Sequence, residues 1–340
     1  MKTSHIVFSL LISMIFIYSC REINVSTVIN KNGSFTRIIT ITGDSTDVLK
    51  PDLPYPINDT WKREFKKDTT NDKNYILTYT KFFSNNSLLN TEISEDTGWR
   101  KKLNRIILVE NEFGFFYSYL SYKEKITAAN PFHEYDYKDY LNKEDMLWLT
   151  GKKLALNSND SAKIKEAENK VDDYLQNAIT DEIIAILKTG IEKLNNPAIK
   201  ADQVDSYRDS IETKINEWSD KSTLEFVDFY SSWTHNSEIN KLKQIESSQF
   251  KNLDKKMQLL MEMLGMEDYK VSVELPGIIT ETNSLSTMGN KVSWHVTPLS
   301  ILLEDFNMIV ESRVINGWMF VITGIVLLLF IVLTIIKSRK

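Results

Sequence analysis

The sequence predicts an α+β protein: an antiparallel sheet assembled from N- and C-terminal strands, a helical insertion between them, and one C-terminal transmembrane helix. Three observations lead there. Apolar and polar residues alternate with the period of a strand from Ile23 to Ile41, and again after Gly265. Between those regions the apolar period lengthens to that of a helix. The chain closes on an uncharged apolar run long enough to cross a bilayer.

Residues 1–19 have the layout of an export leader: Lys2 near the start, an apolar run from Ile6 to Ile17, and small Ser19 before Cys20. The apolar run is too short to stay in a membrane as a spanning helix. Its ending, Ile17-Tyr18-Ser19-Cys20, is similar to the lipobox of bacterial lipoproteins. That resemblance implies that Cys20 becomes the lipidated first residue of the mature chain, carrying palmitate or a similar acyl group. An ordinary leader with an incidental thiol is the alternative. Cys20 is the chain's single cysteine, so it has no disulfide partner within the chain.

Residues 20–133 form the first β-rich part. Ile23, Val25, Thr27 and Ile29 alternate, as do Phe35, Arg37, Ile39 and Ile41, and Asn32-Gly33 between them is a hairpin signal. Further strands are predicted at 75–83, 105–109 and 113–122, with Glu110 to Gly114 as a turn. Residues 50–59 hold three of the seven prolines and read as an irregular loop.

Residues 134–266 form the helical insertion. One helix is predicted over 134–151 and a long one over 161–195, where Ile164, Ala167, Val171, Leu175, Ala178, Ile183, Leu187, Ile191 and Leu194 recur and Ser161 is placed to cap. Asn195-Asn196-Pro197 ends it. A second helix carries Val204, Tyr207, Ile211, Ile215 and Trp218 on one face, and a third helix covers 237–264. Residues 267–317 then return to strands, near 269–277, 290–298 and 306–315, and complete the sheet. The simplest assembly pairs these late strands with the early ones in one sheet; the alternative is two independent sheets separated by a helical bundle.

Residues 318–336 are 19 in number and carry no charge, as a single membrane crossing requires. Trp318 marks one interface and the basic tail 337–340, with Lys337, Arg339 and Lys340, follows the other. Positive residues stay on the cytoplasmic side, so the main domain is extracytoplasmic and the protein a single-pass component of the cytoplasmic (inner) membrane. A lipid at Cys20 in that same bilayer would hold the domain's first strand down against it, with both ends of the domain near one surface.

The whole chain has net charge −5; setting aside Lys2 and the three tail cations leaves 37 basic against 46 acidic side chains, a balance of −9. Such a domain repels nucleic acid, which is not an expected partner. The four histidines are scattered, no HExxH, P-loop, GxGxxG or GxSxG occurs, and no cofactor or metal is implied. The densest acidic cluster, His133, Glu134, Asp136 and Asp139 among Tyr135, Tyr137 and Tyr140, could do acid–base work. The plainer reading is a charged helical turn with packing tyrosines. Phe226, Phe229, Tyr230 and Trp233 could line a groove for an acyl chain, or be core. Met257, Met261, Met263 and Met266 fit ordinary packing or an adaptable apolar surface.

Pro276-Gly277, Thr282-Asn283, Gly289, Val292 and Trp294, a last strand, a membrane helix and a basic tail follow one another in the C-terminal part. With the leader and the early Gly33-Ser34 hairpin, this pattern resembles the LppM-type membrane-anchored lipoproteins of bacteria. It touches both ends of the chain and none of 134–266. The resemblance implies a membrane-tethered α+β domain that handles lipids or envelope components, and it supplies no catalytic residues. The expected function is therefore that of a non-enzymatic envelope lipoprotein binding membrane lipid and a lipid ligand, cell-wall component or envelope protein. The alternatives are an envelope hydrolase or transferase using the acidic cluster, and an assembly subunit of a membrane complex.

Overall fold

The computed structural model describes residues 21–50, 53–69, 74–97, 99–153, 157–217 and 222–338. The fold is α+β, with strands from both ends of the chain flanking a helical insertion and an apolar helix last. The described residues fall into two compact units. A helical unit holds Ala129–Glu267 with Pro298–Leu303, and a sheet unit holds the rest.

In the sheet unit, β1 (Glu22–Ile29) and β2 (Phe35–Gly43) form the hairpin that the sequence predicts, with Gly33 at φ +82° in its turn. β2 pairs with β4 (Tyr75–Phe83), and β3 (Lys62–Lys67) closes that edge. Sequence periodicity misses β3 because all six of its side chains are exposed and five are charged, as suits an edge strand that must not recruit another chain. On the other side β1 runs parallel to β7 (Tyr269–Glu274), followed by β10 (Lys291–Val296) and β9 (Ser286–Met288). A parallel pair needs a long crossover, and the whole helical insertion lies between β1 and β7.

A second sheet has the order β5 (Ile106–Phe113), β6 (Tyr117–Ile126), β11 (Phe306–Ile315), β8 (Ile278–Thr282). Early and late strands do pair, but they divide between two sheets, each drawn from both ends of the chain, instead of one. The β5–β6 turn lies at Gly114 to Phe116, later than 110–114, because polar Asn111 and Glu112 continue the ladder opposite Leu120 and Tyr119. A Cβ at Gly114 would stand 2.4 Å from the Tyr117 carbonyl oxygen, so only glycine fits that turn. The unit also carries α1 (Asn86–Glu95), capped by Asn85.

In the helical unit the predicted helix over 134–151 is broken. A single turn covers Tyr137–Asp139, and α2 spans only Lys143–Leu149. Asp136 and Asn142 turn their side chains onto backbone amides, Asn142 within a capping box with Asp145, so each starts a new helical segment rather than continuing one. The long helix α3 (Ser158–Leu194) starts earlier than predicted because Asn157, not Ser161, is its cap; it ends at Asn195 with φ +48°. The second predicted helix divides into a turn at Ala201–Tyr207 and α4 (Arg208–Asn216), while Trp218 lies outside the described residues. α5 (Glu225–Thr234) carries the aromatic run. The predicted 237–264 helix breaks before α6 (Ser247–Leu264) at Glu246, whose buried carboxylate pairs with Lys193 at 2.6 Å.

The last helix, α7 (Gly317–Ser338), belongs to the sheet unit and begins two residues after β11; none of its residues is buried.

Candidate functional site

Two features of the sheet unit set it apart: the mount of α7 and a buried cluster of charge. The mount is built around Asn316, between β11 and α7. Its Nδ2 donates to the Gly114 carbonyl at 2.8 Å and to Ser118 Oγ at 3.0 Å, and its backbone amide donates to the Phe116 carbonyl at 2.9 Å. These bonds hold the β5–β6 turn against the start of the helix. Aromatic contacts do the same: Phe113 stacks on Trp318 at 6.3 Å, and Phe116 and Tyr117 meet Phe320 at 4.6 and 6.3 Å. These six contacts fix the root and first turns of α7 to the end of the second sheet.

The buried cluster lies where the inner faces of the two sheets meet. Glu124, fully buried on β6, accepts hydrogen bonds from Tyr55 Oη at 2.5 Å, from Arg37 Nη2 at 3.1 Å and from Tyr122 Oη, and Arg105 Nε stands 3.5 Å away. Arg105 donates to Tyr269 Oη and to the Pro54 carbonyl, both at 2.8 Å. The Arg37 and Arg105 guanidiniums stack on the Tyr55 ring at 3.9 and 4.0 Å. Burial opposes the charge of Glu124, but the two guanidiniums and the phenol hydrogen bonds outweigh it and hold its carboxyl below the ordinary range. Burial pushes Tyr55 and Tyr122 upward, so both remain protonated donors. Three hydrogen bonds and the neighbouring Arg105 guanidinium engage both carboxylate oxygens. The cluster holds two cations and one anion, and it locks the sheets in register.

It also fixes which end of the unit is which. Asn111 Nδ2 donates to the Lys31 carbonyl at 2.8 Å, so the far end of β5 lies beside the β1–β2 turn, while the Arg105–Tyr269 bond ties the start of β5 to the start of β1. Tyr117, opposite Ile315, is seven residues from Glu124 toward the mount; Arg21 is six residues the other way from Thr27, the partner of Arg37. At roughly 3.3 Å per residue, Arg21 and the start of α7 stand about 40 Å apart at opposite ends of the unit. The described ends of the unit therefore lie apart, and β1 leads away from Arg21 toward the helix end. Arg21 itself is secured by Nη1 to the carbonyls of Asp47 and Lys50, each at 3.1 Å.

Of the residues named from sequence, Trp318 is in the mount, and Lys337 lies in the last turn of α7. Cys20, Arg339 and Lys340 lie outside the described residues. In the helical unit, Phe226 and Tyr230 are buried and Phe229 and Trp233 half-buried. Phe229 stacks on Trp233 and Trp233 on Tyr207, at 6.1 and 5.9 Å. Burial, with Tyr207 beside it, pushes the Tyr230 phenol up to about 12. The acidic cluster is occupied otherwise. Asp136 caps its turn, Glu134 faces Lys256 at 3.4 Å, and exposed His133 stands 3.9 Å from Glu134. Among the described residues no three His, Cys, Asp or Glu side chains are placed to hold a metal ion.

The charge cluster is what sequence reading missed, although a signal was present. Arg37 shares the inward face of β2 with Phe35, Ile39 and Ile41, and Glu124 that of β6 with Leu120, Tyr122 and Ile126. A charge in an apolar alternation calls for an opposite charge in another strand.

No family model matches the chain, and no curated protein does. Among solved structures, the NMR structure of the folded domain of LppM from Mycobacterium tuberculosis is similar at 7% identity and a TM-score of 0.28, over 87% of this chain and 91% of that one. The resemblance seen in short sequence motifs thus extends to a slight likeness of structure, too slight to carry any argument about this protein.

Proposed function

We propose that this protein is a non-enzymatic envelope lipoprotein: a single-pass protein of the cytoplasmic membrane whose two folded units stand on the extracytoplasmic side and bind a lipid, cell-wall component or envelope protein. The observation that carries the reading is α7, a helix of 22 residues with no buried side chain, rising directly from a strand of the folded unit and fixed there by Asn316. An apolar helix left bare by its own protein needs a bilayer. Lys337, with Arg339 and Lys340 in the tail, supports the cytoplasmic side for its far end.

The second tether in this proposal is an acyl group on Cys20, one residue before Arg21. Metabolic labelling with a fatty-acid analogue tests the lipid: it should mark the wild type and leave Cys20→Ser unmarked, and equal labelling of the two refutes it. Protease added to spheroplasts tests the sidedness. Digestion of the sheet unit with the 337–340 tail protected is expected, and the reverse pattern overturns the proposed topology.

A further inference from the structure

Tips of loops usually carry small or polar residues, because they face water. The end of the sheet unit beside α7 departs from that rule at four residues in three segments. Phe113 ends β5 at 61% exposed, Phe115 in the following turn is 54% exposed, Ile278 begins β8 at 63%, and Ile315 ends β11 at 60%. The strand registers put them at one level: Tyr117 pairs with Ile315, Arg313 with Ile278, and Phe113 with Ser118. The opposite end of the same unit carries Asp44, Ser45, Thr46 and Asp47 in the turn after β2, Asp268 before β7 and Asp305 before β11. One end is an apolar rim, and the other is rich in carboxylates.

The rim is rigid. Asn316 bonds the β5–β6 turn to the root of α7, Gly114 admits no side chain, and Gly277, at φ +93°, would place a Cβ 2.3 Å from the Arg313 carbonyl oxygen. That glycine brings the β7–β8 connection down tightly on β11 and sets Ile278 where it is. Arg313 lies over the Tyr117 ring at 4.7 Å, a cation and an amphipathic aromatic just inside the rim. Trp318 and Phe320 continue the apolar surface directly onto α7. Aromatic residues of this kind settle at the headgroup level of a bilayer, where the ring is apolar on one side and wet on the other.

We infer that the apolar rim of Phe113, Phe115, Ile278 and Ile315 is a membrane-contacting surface, seated in the interfacial layer of the bilayer that α7 crosses. The occupant follows from continuity: the rim surrounds the point at which an unburied apolar helix leaves the fold, so a bilayer around the first turn of α7 meets the rim too. The sheet unit then stands on the membrane at a set angle, with its carboxylate-rich end held outward. The inference rests on α7 being embedded, which the test reads separately.

The experiment uses the full chain with Cys20→Ser, bearing single environment-sensitive fluorophores on Phe115→Cys, Ile278→Cys, Leu328→Cys or Ser45→Cys, in vesicles of phosphatidylethanolamine and phosphatidylglycerol. Each is challenged with a quencher carried on lipid and with aqueous iodide. Labels at 115 and 278 are expected to be quenched several-fold more strongly by the lipid-borne quencher, at shallower depth than the label at 328, while 45 responds to iodide alone. A deep 328 with 115 and 278 open to iodide overturns the seated rim and leaves the anchor intact. A deep 328 with 115 and 278 shielded from both quenchers overturns it as well, because a protein or a second copy then covers the rim. A label at 328 that is open to iodide refutes the embedded helix itself.

Discussion

The two units place buried charge in opposite ways. In the sheet unit, fully buried Arg37 and Glu124 are 87 residues apart in the chain, Tyr55 and Glu124 are 69 apart, and Arg105 and Tyr269 are 164 apart. In the helical unit most ion pairs sit at the surface, as where Arg208 meets Asp181 and Glu212 or Lys170 meets Glu166. Its most buried carboxylate among the described residues, Glu246, relies on one half-exposed lysine. The difference has a physical consequence. A cluster assembled from remote strands is desolvated only when both sheets meet, so its cost and its gain arrive together and the unit forms as a whole. A bundle of long helices loses single contacts piecemeal.

The largest effect should come from Glu124→Gln, which leaves two buried guanidiniums without a counter-charge. A loss of about 3–5 kcal/mol is expected. Hydrogen exchange read by segment should show β1, β2, β5 and β6 losing protection together while α3 keeps its own; a loss confined to β6 would break the contrast. Acid should do the same to the wild type. The folded-state carboxyl of Glu124 is held low, so its contribution is complete above the ordinary carboxylate range and disappears as pH falls below it.

Lys193→Ala should cost about 2 kcal/mol, by stranding the buried Glu246 carboxylate. The loss should appear in α3 and α6 alone, and Glu246→Gln added to it should restore most of the protection. If the sheet unit loosens as well, the two units are not separable in this sense.

Asp172 on α3 sharpens the comparison through pH. Burial, opposed by Lys165 and aided by Glu168 and Asp173, pushes its carboxyl up to about 7. The folded state holds this proton where the unfolded state has lost it, so its ionisation lowers stability as pH rises from about 4 to 7. Asp172→Asn should therefore stabilise the helical unit by about 1 kcal/mol near pH 8, after allowance for partial solvation, and have almost no effect near pH 4. Denaturant midpoints at the two pH values measure it. The smallest effect belongs to Glu212→Ala, which removes a surface partner of Arg208 one helical turn away; about 0.3–0.5 kcal/mol is expected, within the helical unit only.

Local pattern made much of the molecule legible. Alternation around Asn32-Gly33 defines the β1–β2 hairpin, apolar spacing from Ala167 to Ile191 defines α3, and an uncharged run defines α7, since each element is determined by residues within a few positions of one another. Where neighbouring side chains compete for backbone amides, as Asp136 and Asn142 do, or where an edge strand keeps all its side chains in water, as β3 does, local pattern misleads or is silent. What only the tertiary structure decided is everything that depends on which remote strands lie side by side. That includes the division into two sheets, the parallel pairing of β1 with β7, the match of Arg37 to Glu124, and the gathering of Phe113, Ile278 and Ile315 into one rim around α7. It also put Arg21 and the start of α7 at opposite ends of one unit. Backbone hydrogen bonding is the same for every strand pair, so partner and register are selected by side-chain burial summed over the whole sheet, a sum that no single segment of sequence contains.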